Sequence, residues 1–191
     1  MSTAPRRTRS DALQNRDRLL EIAARAFAEQ GPQATPAAIA KQAGVGVGTL
    51  YRHFPTREAL LVAAHSQQIA RVCEKATDLA ARCTAAEATR AWLEHFLDHA
   101  MANSNMCAAL NAALAPDVDP YAHTHTLLNG AVTTLLDAGA RDGTLRADIT
   151  PGDALLLVGS VASSAQHSTK ERAHRLVELL MDALTKNTTA T

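Results

Sequence analysis

GPQATPAAIAKQAGVGVGTLYRHFPTREAL, Gly31 to Leu60, is the stretch on which the fold turns. Thr35 followed by Pro36 is the pairing of an N-cap and a first helical residue: the Thr hydroxyl accepts from an amide of the first turn, and Pro lacks the amide that a first turn leaves unbonded. Ala37 to Ala43 continue that helix with Ile39, Ala40 and Ala43 on one side, and Gly44 closes it. After the turn Gly44-Val45-Gly46, residues Val47 to Phe54 form a second short helix, stopped by Pro55, whose ring disfavours helical geometry at the residue it follows. Two short helices joined by a glycine-bearing turn make a helix-turn-helix, with Val45 and Leu50 placed to pack the pair together.

Outward from this stretch the helical pattern continues. Upstream, Leu19, Leu20, Ile22, Ala23, Ala26 and Phe27 recur at helical spacing, and Gly31-Pro32 ends the run, which predicts a first helix over about Asp11 to Gln30. Downstream, Thr56 caps a long helix from Arg57 to about Arg82, and Thr84 with Glu87 three residues on is a capping box for a helix ending near Asn103. Met106 to Leu114, Tyr121 to Arg141, Pro151 to Gln166 and Arg172 to Thr185 complete a count of nine, with Pro116 to Pro120 the clearest loop. No internal repeat and no run of strand period interrupts this series. The chain reads as all-α: a flexible basic arm over 1–10, a three-helix head over 11–55, and a helical body over 56–191.

Composition agrees. Apolar residues make up 47% and aromatic residues 3%, much of the apolar share being Ala and Leu, which are strong helix formers. The formal net charge of zero hides a division: residues 1–57 hold nine Lys or Arg against four acids, a net of +5, while residues 58–191 carry −5. A basic head on an acidic body suits a molecule that meets a polyanion with one end only. Cys73, Cys83 and Cys107 form neither an even framework nor a CxxC pair, so buried or partly buried reduced thiols are expected rather than disulfides or zinc. No run approaches a membrane span, and the polar, basic N-terminus lacks the apolar core of a secretory signal, so a cytoplasmic location and no membrane partner are expected.

In a helix-turn-helix the second helix enters the major groove while the first crosses the backbone. Val47, Gly48, Thr49, Tyr51, Arg52 and His53 carry short or polar side chains suited to that approach. The run Ala43 to Leu60, AGVGVGTLYRHFPTREAL, resembles the signature of the tetracycline-repressor (TetR) family, supported by LLEIAARAFAEQG (Leu19 to Gly31) and TPAAIAKQAG (Thr35 to Gly44). A second stretch, Ala140 to Ala154, resembles the approach to the penultimate helix in many members. The resemblance implies a homodimer with one head per subunit on a double-stranded, palindromic DNA operator, a seam built from the last two helices, and a body that binds a small-molecule effector. Carried over by position, it implies that Thr35, Thr49, Tyr51, His53 and Arg57 contact phosphate and that Val47 and Gly48 face base edges. The family usually places Ser at the position of Gly46, where its hydroxyl caps the recognition helix. Val47 and Gly48 bring no hydrogen-bonding side chain, so Arg52 and the arm residues Arg6, Arg7 and Arg9 are further candidates for reading sequence.

For the body, Trp92, Phe96 and His99 share a helix face, and Met106, Leu110, Tyr121, Leu128 and Leu135 are candidate facing walls of an effector pocket; ordinary core packing is the alternative reading of all of them. His95 and His99 stand four apart and His123 and His125 two apart, but no acid or thiol accompanies them at metal-ligand spacing, so no metal and no cofactor is expected. The helix from Pro151 is apolar around most of its circumference, more than one buried stripe requires, which implies a second partner surface. Leu155, Val158, Gly159, Ala162, Leu176, Leu180 and Leu184 are the candidate dimer residues. No nucleophile–base pair or phosphate loop supports catalysis. The alternative to a DNA-binding repressor is an all-helical enzyme or protein-interaction module that uses the body and keeps the head as structure.

Overall fold

The computed structural model describes residues 9–114, 119, 121–165 and 169–185, with side chains from residue 14 onward except that of His123. The expected arm up to residue 8, most of the Pro116 to Pro120 loop and the tail beyond Thr185 lie outside the described residues. Among the described residues there are nine α-helices: α1 (Arg9–Gln30), α2 (Pro36–Ala43), α3 (Val47–His53), α4 (Arg57–Ala80), α5 (Ala85–Ala102), α6 (Ser104–Ala113), α7 (Ala122–Asp142), α8 (Pro151–Ala165) and α9 (Lys170–Leu184). Their ends follow local chemistry. Thr84 and Glu87 form the reciprocal capping box of α5, and the Thr84 hydrogen bonds hold the Glu87 carboxyl below its usual range. Thr169 caps α9 through the Arg172 amide, and Gly44 and Gly143 end α2 and α7 in the left-handed region.

One element escaped the sequence reading. Gly31–Gln33 forms a single 3-10 turn between α1 and α2, with Gly31 at φ +54. Gly31-Pro32 reads locally as a helix stop, and nothing in two residues distinguishes a stop from a stop that continues as one tighter turn.

The chain divides into two compact units. The first takes in the described residues within 1–67 and 105–120, so α6 joins α1, α2, α3 and the start of α4. Leu19, Leu20, Ala23, Phe27, Ile39, Ala40, Leu50, Phe54, Leu60 and Leu61 are buried in it. The second unit comprises the described residues within 68–104 and 121–191; in it α5 packs against α7, α8 and α9. Its core gathers Trp92, Leu93, Phe96, Leu97, Leu135, Val158, Val177 and Leu184. The connection after α7 is fastened by two backbone bonds: the Leu145 amide donates to Gly139 and the Arg146 amide to Leu184. Leu145 and Thr185 form an isolated antiparallel bridge there. No helix among the described residues is long and apolar enough to cross a membrane.

Candidate nucleic-acid interface

The helix-turn-helix is set by its caps. The Thr35 oxygen accepts from the Ala38 amide at 3.3 Å, Pro36 opens α2, and Gly44 (φ +68) turns the chain so that the Val45 amide returns to the Ala40 carbonyl at 3.0 Å. Such a left-handed C-cap is sterically open to Gly and costly to a residue with a Cβ. Gly46 begins α3 with extended geometry (φ −68, ψ 142) and no side-chain cap, as expected from the absence of Ser there. Ile39, Ala40 and Leu50 are buried, which fixes α3 against α2. Phe54 closes the base of α3, 3% exposed, with the Arg16 guanidinium 5.4 Å from its ring centroid.

What remains outward on α3 is the expected set. Val47 is 41% and Tyr51 43% exposed, Gly48, Arg52 and His53 are exposed, and Thr49 is half-buried. A Cβ built at Gly48 would meet nothing within 4 Å, so the helix backbone there is bare. Arg52 Nη2 donates to the Thr49 hydroxyl at 2.9 Å, which leaves the Thr49 proton free for another acceptor and restrains the one long cationic side chain of this face. Thr35 is exposed, and its hydroxyl proton is likewise unused by the cap.

Arg57 stands apart from the others. Its Nε donates to the Ala34 carbonyl at 3.1 Å, its Nη2 to the Pro32 carbonyl at 2.9 Å and the Gly31 carbonyl at 3.5 Å, and the guanidinium lies 5.2 Å from the Phe27 ring centroid. From the sequence this half-buried side chain was expected at phosphate; its Nε and Nη2 donors are engaged inside the chain.

The effector residues fall in different surroundings. Met106 and Leu110 are fully buried in the first unit. In the second, Trp92 is buried, its ring 5.5 Å from Phe96 in a stacked arrangement and its indole N–H donating to the Val72 carbonyl at 3.0 Å. Leu128 and Leu135 are buried, while His99 and Tyr121 are half-buried. Of the eight, Trp92 and Leu135 line a cavity of about 10 Å³ with Leu93, Val132 and Val158, space for one water at most. His99 is pushed down to about 4 by burial and then by the neighbouring His95, which is itself lowered by burial and by Lys75. No group of three His, Cys, Asp or Glu among the described residues is arranged to hold a metal ion. Cys73 and Cys107 are half-buried, but Cys83 is exposed, contrary to the expectation of burial; burial and Glu74 raise the Cys73 thiol to about 11.

At the candidate seam, Val158, Ala162, Leu180 and Leu184 are buried in their own chain's core, so four of the seven residues expected to face a second subunit are turned inward. Leu155 and Leu176 are half-buried and Gly159 is exposed. The large apolar side chains left outward on these helices are Leu156 (73% exposed), Leu157 (46%) and Leu179 (55%). Gly152, Gly159, Ser160 and Ser163 are exposed at helical spacing around Leu156 and add small residues to the same face.

Comparison with known proteins agrees with this architecture. Residues 19–64 match the family described as bacterial regulatory proteins, tetR family, and residues 84–186 match the C-terminal domain of SbtR-like transcriptional regulators, more than half of the chain. An HTH-type transcriptional regulator of Staphylococcus aureus is 47% identical over 53 residues, 27% of this chain; the chain spans only 29% of the length of the curated relatives it matches. Among solved structures, a TetR transcriptional regulator of Streptomyces coelicolor is 41% identical with a TM-score of 0.74, covering 90% of this chain and 99% of its own. The TetR transcription regulatory protein of Mycobacterium vanbaalenii is 30% identical with a TM-score of 0.71, covering 93% and 99%. The chain belongs to the tetR family of bacterial regulatory proteins and is a transcriptional regulator of the helix-turn-helix type.

Proposed function

We propose that the protein is a cytoplasmic, homodimeric repressor that docks the α3 faces of its two heads on successive major-groove segments of a palindromic operator and is released by a small molecule bound in the body. The observation that carries this reading is the outward face of α3. Tyr51, His53 and Thr49 offer hydroxyl or imidazole donors, Gly48 exposes backbone, and Arg52 supplies charge, all on a helix whose opposite face is anchored by Leu50, while Thr35 at the α2 cap offers a further hydroxyl. Phosphate contacts of this kind set affinity and register, while the bare Val47–Gly48 pair favours thymine-methyl contact and close backbone approach.

The seam is carried in this proposal by Leu156, Leu157 and Leu179, with Gly159 and the α8 serines permitting close approach. Two heads read two half-sites about 34–36 Å apart, so a few ångströms of change in their separation switches binding. A tenfold switch needs about 1.4 kcal/mol of differential effector binding. The cavity between Trp92 and Leu135 admits no organic molecule as it stands, so an effector bound at that place would have to open the second unit there.

The test is DNA binding across a salt series. Tyr51→Ala and His53→Ala are expected to weaken binding to all duplex sequences at every salt concentration, as loss of phosphate contacts does. Unchanged affinity in both would refute the α3 docking face. Binding of no DNA by the wild type would favour an enzyme or interaction module using the body.

A further inference from the structure

We infer that Arg57 is a positioning residue of the DNA-binding head: it holds the Gly31–Ala34 turn, and through it the start of α2, and it is not one of the head's phosphate contacts. The inference rests on the docking function proposed above and concerns what one residue does within it.

The turn is a weak point that needs holding. Pro32 removes a backbone N–H from the stretch that leaves α1, and the turn's own backbone bond runs from the Ala34 amide to the Gly31 carbonyl. Arg57, in the first turn of α4, adds side-chain donors to the turn's carbonyls. Its Nε–H and Nη2 donate to the carbonyls of Ala34, Pro32 and Gly31, and its guanidinium carbon lies over the ring of Phe27, a fully buried side chain of α1, 5.2 Å from the centroid. A fork of donors that reaches several carbonyls at once from beside an aromatic ring is a task for guanidinium and not for ammonium.

The far side of the same turn is held as well. The Asn105 amide of α6 donates to the Ala28 carbonyl at 2.9 Å, and a Cβ on Gly31 would stand 3.3 Å from the Asn105 carbonyl oxygen. The turn is therefore clasped between α4 and α6. Ala34 directly precedes Thr35, so the position of its carbonyl fixes the α2 cap, and α2 in turn fixes α3. To engage a phosphate with the Nε–Nη2 edge, Arg57 would have to release these carbonyls and loosen the element that aims α3.

The full-length protein is titrated onto its operator, obtained by selection from random duplex DNA, and onto an unrelated duplex, at several salt concentrations. Arg57→Gln and Arg57→Lys are expected to lose about tenfold in operator affinity with a smaller loss on unrelated DNA, so that the specificity ratio falls. The salt slope is expected to stay within about 0.3 of wild type, where loss of a phosphate contact removes about 0.9. Rescue by Lys, or a slope lowered by about 0.9 with the ratio intact, would overturn the inference. The wild-type Arg57 Nε–H NMR resonance keeps the inference falsifiable should either variant fail to fold. It is expected to be protected from exchange and to keep its chemical shift when DNA is added, and a shift comparable to that of the Tyr51 ring would overturn it. No DNA binding by the wild type would overturn the docking function and this role together.

Discussion

His99 converts burial into a pH response. Its ring is half-buried in the second unit, with the Asn103 amide 3.3 Å from Nδ1, and burial together with His95 lowers it to about 4, against 6.5 for the free side chain. The unfolded chain therefore binds a proton at pH values where the folded chain does not, and the stability from a neutral His99 is complete above pH 6.5 and is lost as pH falls toward 4. Between pH 7 and pH 5 the loss is expected to be about 2 kcal/mol. Urea midpoints over that range should fall in the wild type and fall less in His99→Gln, where the lowered His95 remains; equal slopes in the two would refute the assignment. Single residues were legible in the sequence where their partners lie close by. Thr35, Thr84 and Thr169 cap helices through amides three residues on, which a string of letters displays. Arg57 was not legible, because its carbonyl partners lie 23 to 26 residues away and its motif position pointed to phosphate instead.

The ends of α1, α2, α3 and α7 were legible to within a few residues because Gly or Pro stands there, whose backbone effects do not depend on tertiary context. Which arc of a helix faces the core was legible for α1 and less so for α8, where apolar residues occupy most of the circumference and periodicity alone leaves the inward arc undetermined. The α7 end shows a constraint of a different kind. An added Cβ at Gly139 would lie 2.5 Å from Leu145 Cβ, and Leu145 is fully buried. The Leu145 amide also bonds the Gly139 carbonyl, so side chain and backbone must move together to make room. Gly139→Ala is expected to destabilise the protein by about 2 kcal/mol, even though Ala is the better helix former. A thermal melt unchanged or raised by the substitution would show that the connection gives way freely.

Across the molecule, charge and apolar surface are distributed to different units. The basic residues concentrate in the chain that builds the head, and the outward leucines belong to α8 and α9. The proposed seam makes a distinction between neighbouring leucines that the sequence did not reveal. Leu156→Glu or Leu179→Glu changes an exposed residue, so each is expected to give a folded monomer with operator affinity lowered at least tenfold. Leu180→Glu buries a charge in the subunit's own core and is expected to cost several kcal/mol and lower the melting temperature sharply. Sedimentation and melting together check this pair of outcomes; a dimer surviving both exposed substitutions would place the interface elsewhere. Charge and helix length led to the reading of a head over 11–55 and a body over 56–191. The placement of α6 in the first unit was not legible there, since the contact that brings Asn105 to Ala28 joins residues 77 apart.

The bare backbone at Gly48 bears on how such a regulator acquires new targets. Ordinary residues favour a helix over glycine by up to about 1 kcal/mol, and a side chain at this position would meet no neighbour. Replacement there by residues other than proline thus meets no steric obstacle, and the fold itself gives no reason to retain glycine. If α3 docks as proposed, position 48 is a vacancy in the recognition alphabet: a library varied at that one codon would present many different letters to DNA on an unchanged scaffold, and its binding preferences could diversify without loss of foldability.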